Sequence, residues 1–167
     1  MSSFEAILSQ IPSVSLGYGG VDVFFVEDLP SKQRGCSVSS AGEALWGDAA
    51  GDWRKEWIVI GCESMCGDPI FIDTATDGCP VYTAMHGEGD WIPRPVAASL
   101  EGFREAVEVV AKVAQGREDP AAIQDNPITP AERDQALRAI RQSNPGMDLS
   151  FWLLLFDEDP EAFGDLN

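Results

Sequence analysis

WIVIGC at residues 57–62, IFID at 70–73 and VYTAM at 81–85 are three apolar, β-rich runs within the stretch 57–91. Gly67-Asp68-Pro69 separates the first two runs and Asp77-Gly78 the second pair. Val, Ile, Phe and Tyr fit a pleated surface, while Gly, Asp and Pro make tight turns. A parallel crossover takes a dozen residues or more, so turns this short predict an antiparallel meander.

Helical signals lie on either side. Ser2 and Glu5 form an S-x-x-E capping box, and Phe4, Ile7, Leu8 and Ile11 make one apolar stripe until Pro12. Gly17-Tyr18-Gly19-Gly20 reads as a turn, 21–26 as a strand, and 27–52 as loop with a short strand at 36–40. Further on, Ser99 caps a helix whose inner face is Leu100, Phe103, Val107, Val110 and Ala114, and Gly116 ends it. Residues 117–128 read as a polar connector. Thr129-Pro130-Ala131-Glu132 opens the next helix, with Ala136, Leu137 and Ile140 inside and Asp134 paired to Arg138 outside. Asn144-Pro145-Gly146 stops it, and Asp148 caps a last short helix over 151–156, ended by the acidic tail that begins at Asp157. The expected fold is α+β: a central, mainly antiparallel sheet flanked by helices, one domain over 1–167 with a helical C-terminal extension over 129–157.

Charge narrows the partners. The 167 residues carry 28 Asp and Glu against 11 Lys and Arg, a net charge of -17, and 44% are hydrophobic. That composition is globular, and it lacks the basic footprint that phosphate backbones and anionic membranes require. A partner selected by charge is a basic protein. Residues 56–91 hold seven acids (Glu56, Glu63, Asp68, Asp73, Asp77, Glu88, Asp90) and no Lys or Arg. Asp68, Asp73 and Asp77 suit turns, because Asp side chains bond nearby amides. Glu63, Glu88 and Asp90 have no such duty and are the candidate partner-binding rim.

Catalytic and cofactor signatures are missing. No Gly-rich phosphate loop, H-E-x-x-H or G-x-S-x-G occurs. Residues 73–84 mimic a calcium loop but place Ala84 where a bidentate Glu is required. Cys62 and Cys66 have a C-x3-C spacing, yet no second pair follows and His86 is the lone histidine, so no metal is expected. A dyad of His86 with Cys62, Cys66 or Cys79 lacks a third orienting group, so His86 is read as structural. Four cysteines in a chain without a cationic leader or a membrane-length apolar run predict reduced thiols in a cytoplasmic protein. We expect no catalytic residue, no cofactor and no metal.

Trp57-Ile-Val-Ile-Gly61, Gly67-Asp68-Pro69-Ile-Phe71-Ile-Asp73, Pro80-Val81-Tyr82, His86-Gly87 and Trp91 recur in an order that resembles the SUKH superfamily, in the branch named for a fungal cell-wall-synthesis regulator. The likeness spans about residues 20–115, and 96–103 resembles the helix start that follows in that family. It implies an α+β domain without catalysis. Trp57 and Phe71 would serve as core, Gly61 and Gly67 as turn backbone, and Asp68 as a turn or strand-end acceptor. Many bacterial members are immunity proteins that neutralise toxins, often nucleases; fungal members regulate through protein contacts. The expected function is therefore to neutralise a basic toxin domain, or else to act as a regulatory or scaffolding module with no toxin. Cys62 and Cys66 depart from the family's turn.

Overall fold

The computed structural model describes residues 2–156. The acidic tail from Asp157, read above as a helix stop, lies outside them. The chain runs α1 (Ser3–Leu8), β1 (Val14–Leu16), β2 (Gly19–Val23), α2 (Leu29–Lys32), β3 (Trp57–Glu63), β4 (Pro69–Asp73), β5 (Val81–Thr83), β6 (Arg94–Ala97), α3 (Leu100–Ala114), α4 (Pro120–Asp125), α5 (Pro130–Ser143) and α6 (Ser150–Leu155). The six strands form one curled antiparallel sheet in strictly sequential order, β1 to β6, with helices flanking it. This is the meander expected from residues 57–91, extended by a strand pair before it and one strand after.

Alternation along the central strands explains why both faces are covered. Ile58 and Ile60 of β3, with Ile70 and Ile72 of β4, pack beneath the helices with Phe103, Val107, Val110 and Trp152. Val59 and Phe71 point the other way and meet Trp53 and Ala84, with Trp57, Tyr82 and Trp91 packed around them. Successive side chains of a strand leave on opposite faces, so a continuous apolar run signals a sheet buried twice. The second cover is the 33–56 excursion. Its Trp53 stands edge-on to Trp57 and Trp91 at centroid distances of 5.5 and 5.1 Å.

Gly61 lies inside β3, not in a turn as the family likeness implied. It faces Val23 of β2, and a Cβ there would fall 2.3 Å from the Asp22 carbonyl oxygen. Only a glycine lets the two backbones approach this closely. Gly67 does occupy the β3–β4 turn, at φ +77°.

The helical caps follow the sequence. Ser2/Glu5 and Thr129/Glu132 both form capping boxes, and the Ser99 hydroxyl accepts the Gly102 N–H at 3.0 Å. Other elements differ from expectation. Residues 17–20 divide between a Gly17-Tyr18 turn and the start of β2, which ends at Val23. Within residues 36–40 there is no strand; Val38 alone makes isolated bridges, to Arg34 and Ala44. The connector contains α4, capped by the Asp119 carboxylate on Ala122 N–H. Asp134 meets Arg133, not Arg138. Asp148 accepts from the Ser150 N–H at 2.9 Å, and α6 is pinned to β6 by the buried Trp152 indole, which donates to the Val96 carbonyl at 2.8 Å.

Candidate protein-binding groove

Antiparallel order brings one end of every strand to the same edge: Leu16, Gly19, Glu63, Pro69, Thr83 and Arg94. Helix α6 joins that edge, and between them opens a groove of about 670 Å³. The β1–β2 hairpin supplies Leu16 and Tyr18, and the β3–β4 turn supplies Met65 and Cys66. Met85 comes from just beyond β5, while Phe151, Leu154 and Leu155 come from α6. Tyr18, Met65 and Met85 are 41%, 39% and 47% exposed, so the apolar lining is open to solvent. Four carboxylates (Glu63, Asp68, Glu88, Asp148) and one guanidinium, Arg94, also line it.

Two of the three expected rim acids, Glu63 and Glu88, therefore share the groove. Asp90 does not line it. It sits against the loop at Gly51, where an added Cβ would be 2.5 Å from its Oδ1, and neighbouring Trp91 donates its N–H to the Gly51 carbonyl at 2.8 Å. Glu63 also has a local duty that the sequence reading denied it. Its carboxylate accepts the Met65 N–H at 2.5 Å and the Cys66 N–H at 2.7 Å, fastening the turn that carries both groove residues.

The turn acids divide. Asp73 accepts the Ala75 N–H at 2.9 Å and the Thr76 hydroxyl at 3.0 Å, a local turn as expected. Asp68 instead reaches across to the next loop: its Oδ1 accepts the His86 N–H at 3.0 Å and lies 2.7 Å from His86 Nδ1, while Oδ2 stands 3.8 Å from Arg94. A carboxylate only accepts, so Nδ1 carries the proton and the ring is held as a structural clasp between two strand-end loops. Trp57, Phe71 and Trp91 belong to the aromatic cluster on the far face of the sheet.

All four thiols lie above the ordinary thiol value. Burial pushes Cys36 up to about 11. Cys66 is raised by burial and then by Glu63 and Asp68, against a smaller opposing effect of Arg94. Cys62 and Cys79 are raised by burial first and by neighbouring carboxylates second. A raised thiol holds less thiolate, which is the reactive form. Asp68 orients the His86 ring through Nδ1, the third group that the sequence reading found missing, but among the described residues no cysteine is hydrogen-bonded to that ring. Among the described residues no three His, Cys, Asp or Glu side chains converge as metal ligands, and no helix is long and apolar enough to cross a membrane.

Of the four acids that line the groove, sequence reasoning named Glu63 and Glu88 for a rim and gave Asp68 and Asp148 to a turn and a cap, and it did not single out Tyr18, Met65, Met85, Leu154 or Arg94. The available signal was bulky apolar residues placed in or beside polar turns, as Met65 is between Ser64 and Cys66. What the arrangement offers is an apolar slot with a negative border, suited to a ligand that is apolar on one side and cationic on the other. Comparison with family models, with curated proteins and with solved structures finds no match to this chain.

Proposed function

We propose that the chain is a non-enzymatic, SUKH-like protein-binding domain of the cytoplasm that neutralises a basic toxin domain, as immunity proteins of bacterial competition do. The observation carrying this reading is the acidic, solvent-open end of the sheet, where four carboxylates face one guanidinium. A nuclease toxin must attract a polyanion, so its working face is positive and an acidic domain competes for it. The sequential antiparallel sheet with flanking helices agrees with the fold that the family likeness implies.

The test is to look for a cationic effector domain encoded beside this chain and, where one is found, to co-express the two, read as survival of the host and as a purified complex. Replacing Glu63, Glu88 and Asp90 by Gln should slow association at low salt. The gap should close as the Debye length shrinks toward ~8 Å at physiological ionic strength. Glu88→Gln alone is the cleaner variant, because Glu63 also holds its own turn. A stable complex without protection would turn the reading to a regulatory or scaffolding module. Neither complex nor protection would end it.

A further inference from the structure

The groove is unusual for an acidic surface because its walls are apolar. Met65, Met85, Leu154 and Leu155 line it, while Glu63 and Glu88 stand among them. Glu63, Asp68 and Asp148 each hold local structure, yet together with Glu88 and against Arg94 alone they give the apolar slot a net negative border. Resting on the reading of a basic partner, we propose that the groove seats one amphipathic segment of that partner, with bulky aliphatic or aromatic side chains on one face and Lys or Arg on the other.

Charge complementarity selects this occupant. A second copy of the chain would bring its own net charge of -17 to a negative rim. The chain's own residues 157–167 hold five acids (Asp157, Glu158, Asp159, Glu161, Asp165) and no Lys or Arg, the same sign as the border. A cationic amphipath instead buries its apolar face against the Met and Leu side chains while its charges meet the rim. Methionine suits that task, since its unbranched, polarisable side chain repacks around differing shapes. Met65 and Met85 come from different loops, and Asp68 of the first bonds His86 of the second and so holds those loops together.

The experiment uses three synthetic peptides of equal length against the full chain, with binding followed by calorimetry: Lys/Leu at helical periodicity, Lys/Ser of equal charge, and Glu/Leu of equal apolar content. The Lys/Leu peptide should bind at least about tenfold more tightly than either control. Met65→Ser with Met85→Ser should weaken it by about tenfold or more, with the thermal midpoint unchanged because both side chains are exposed. If Lys/Ser binds as well as Lys/Leu, the groove is not the seat, and the basic-partner reading survives without it. If Glu/Leu binds as well as Lys/Leu, the groove is a seat but not for a cation, and the basic-partner reading falls. Binding that the double variant leaves intact, or no binding by any peptide, overturns the docking proposal, whereas protection from the effector judges the wider function separately.

Discussion

Asn144 is a place where a single side chain ties the end of α5 to the start of α3 and to the residue that follows β6. It is fully buried at the C-terminal cap of α5. Its Oδ1 accepts the Ala98 N–H at 2.9 Å, and its Nδ2 donates to the carbonyls of Gly102 at 3.0 Å and Ile140 at 3.1 Å. Asn144→Ala removes these three bonds, together with a longer one from Nδ2 to the Ser143 hydroxyl at 3.3 Å, and leaves the Ala98 N–H with no partner from α5. With net values of about 1 kcal/mol per bond and an orphan donor added, the loss should be about 2–4 kcal/mol. For a chain of this size that lowers the thermal midpoint by roughly 6–12 °C at the middle of that range.

Gly102 supplies an internal check. A Cβ there would lie 2.5 Å from Asn144 Oδ1 and 2.9 Å from the Ser143 carbonyl oxygen, so Gly102→Ala should cost about 1–3 kcal/mol by overpacking. Once Asn144 is Ala, the nearer obstacle is gone. The two losses should then fall short of additivity by about 1 kcal/mol or more. Urea melts of the four members of this cycle, at constant m, give all the terms. A single-variant loss under about 1 kcal/mol, or additivity within about 0.5 kcal/mol, would refute the assignment of the clasp.

Three further outcomes follow from the same geometry. Glu132 is held down to about 2 by the Thr129 amide and hydroxyl and by Arg117, so its contribution is present above the ordinary value of 4.5 and lost as pH falls from there toward 2; the stability gap between wild type and Glu132→Gln should close over that window in thermal melts. Glu63 and Asp68 help to hold Cys66 in its thiol form, so Glu63→Gln should speed alkylation of Cys66 near pH 8, as followed by mass spectrometry; an unchanged rate would contradict the carboxylate's influence. Trp91→Ala removes a half-buried ring 5.1 Å from Trp53 and should cost about 2 kcal/mol in denaturant, whereas Phe25→Ala, at a site 72% exposed, should stay within about 0.5 kcal/mol.

The elements that sequence made legible are those whose signals are local. A capping box needs only four consecutive residues, and the central strands announce themselves by β-branched runs between Gly, Asp and Pro. β1 escaped because three residues, Val14-Ser15-Leu16, show too little periodicity to register. β6 was hidden by Pro93 and Pro95, which argue against a central strand; it is an edge strand, where proline is tolerated. Arg117 read as part of a polar connector, yet it is buried with its guanidinium spread over the Val113 and Asn126 carbonyls and the Glu132 carboxylate. The groove was the least legible feature. Its lining comes from the β1–β2 hairpin, the β3–β4 turn, the β5–β6 loop and α6, and only pairing order makes those segments neighbours.

That pairing order also sets what a ribosome releases. Every strand pairs with the one made just before it, so the sheet can assemble as the chain emerges, without waiting for a distant partner. Its helix-facing side has no such luck in timing. The Ile60, Ile70, Ile72 and Val81 side chains precede α3, and Trp152 arrives near the end of the described chain. Until then a nascent sheet presents a bare apolar face, the kind of surface that aggregates or recruits chaperones. Slow translation through the codons for residues 98–150 should therefore harm the yield of this protein more than an equal pause before residue 57.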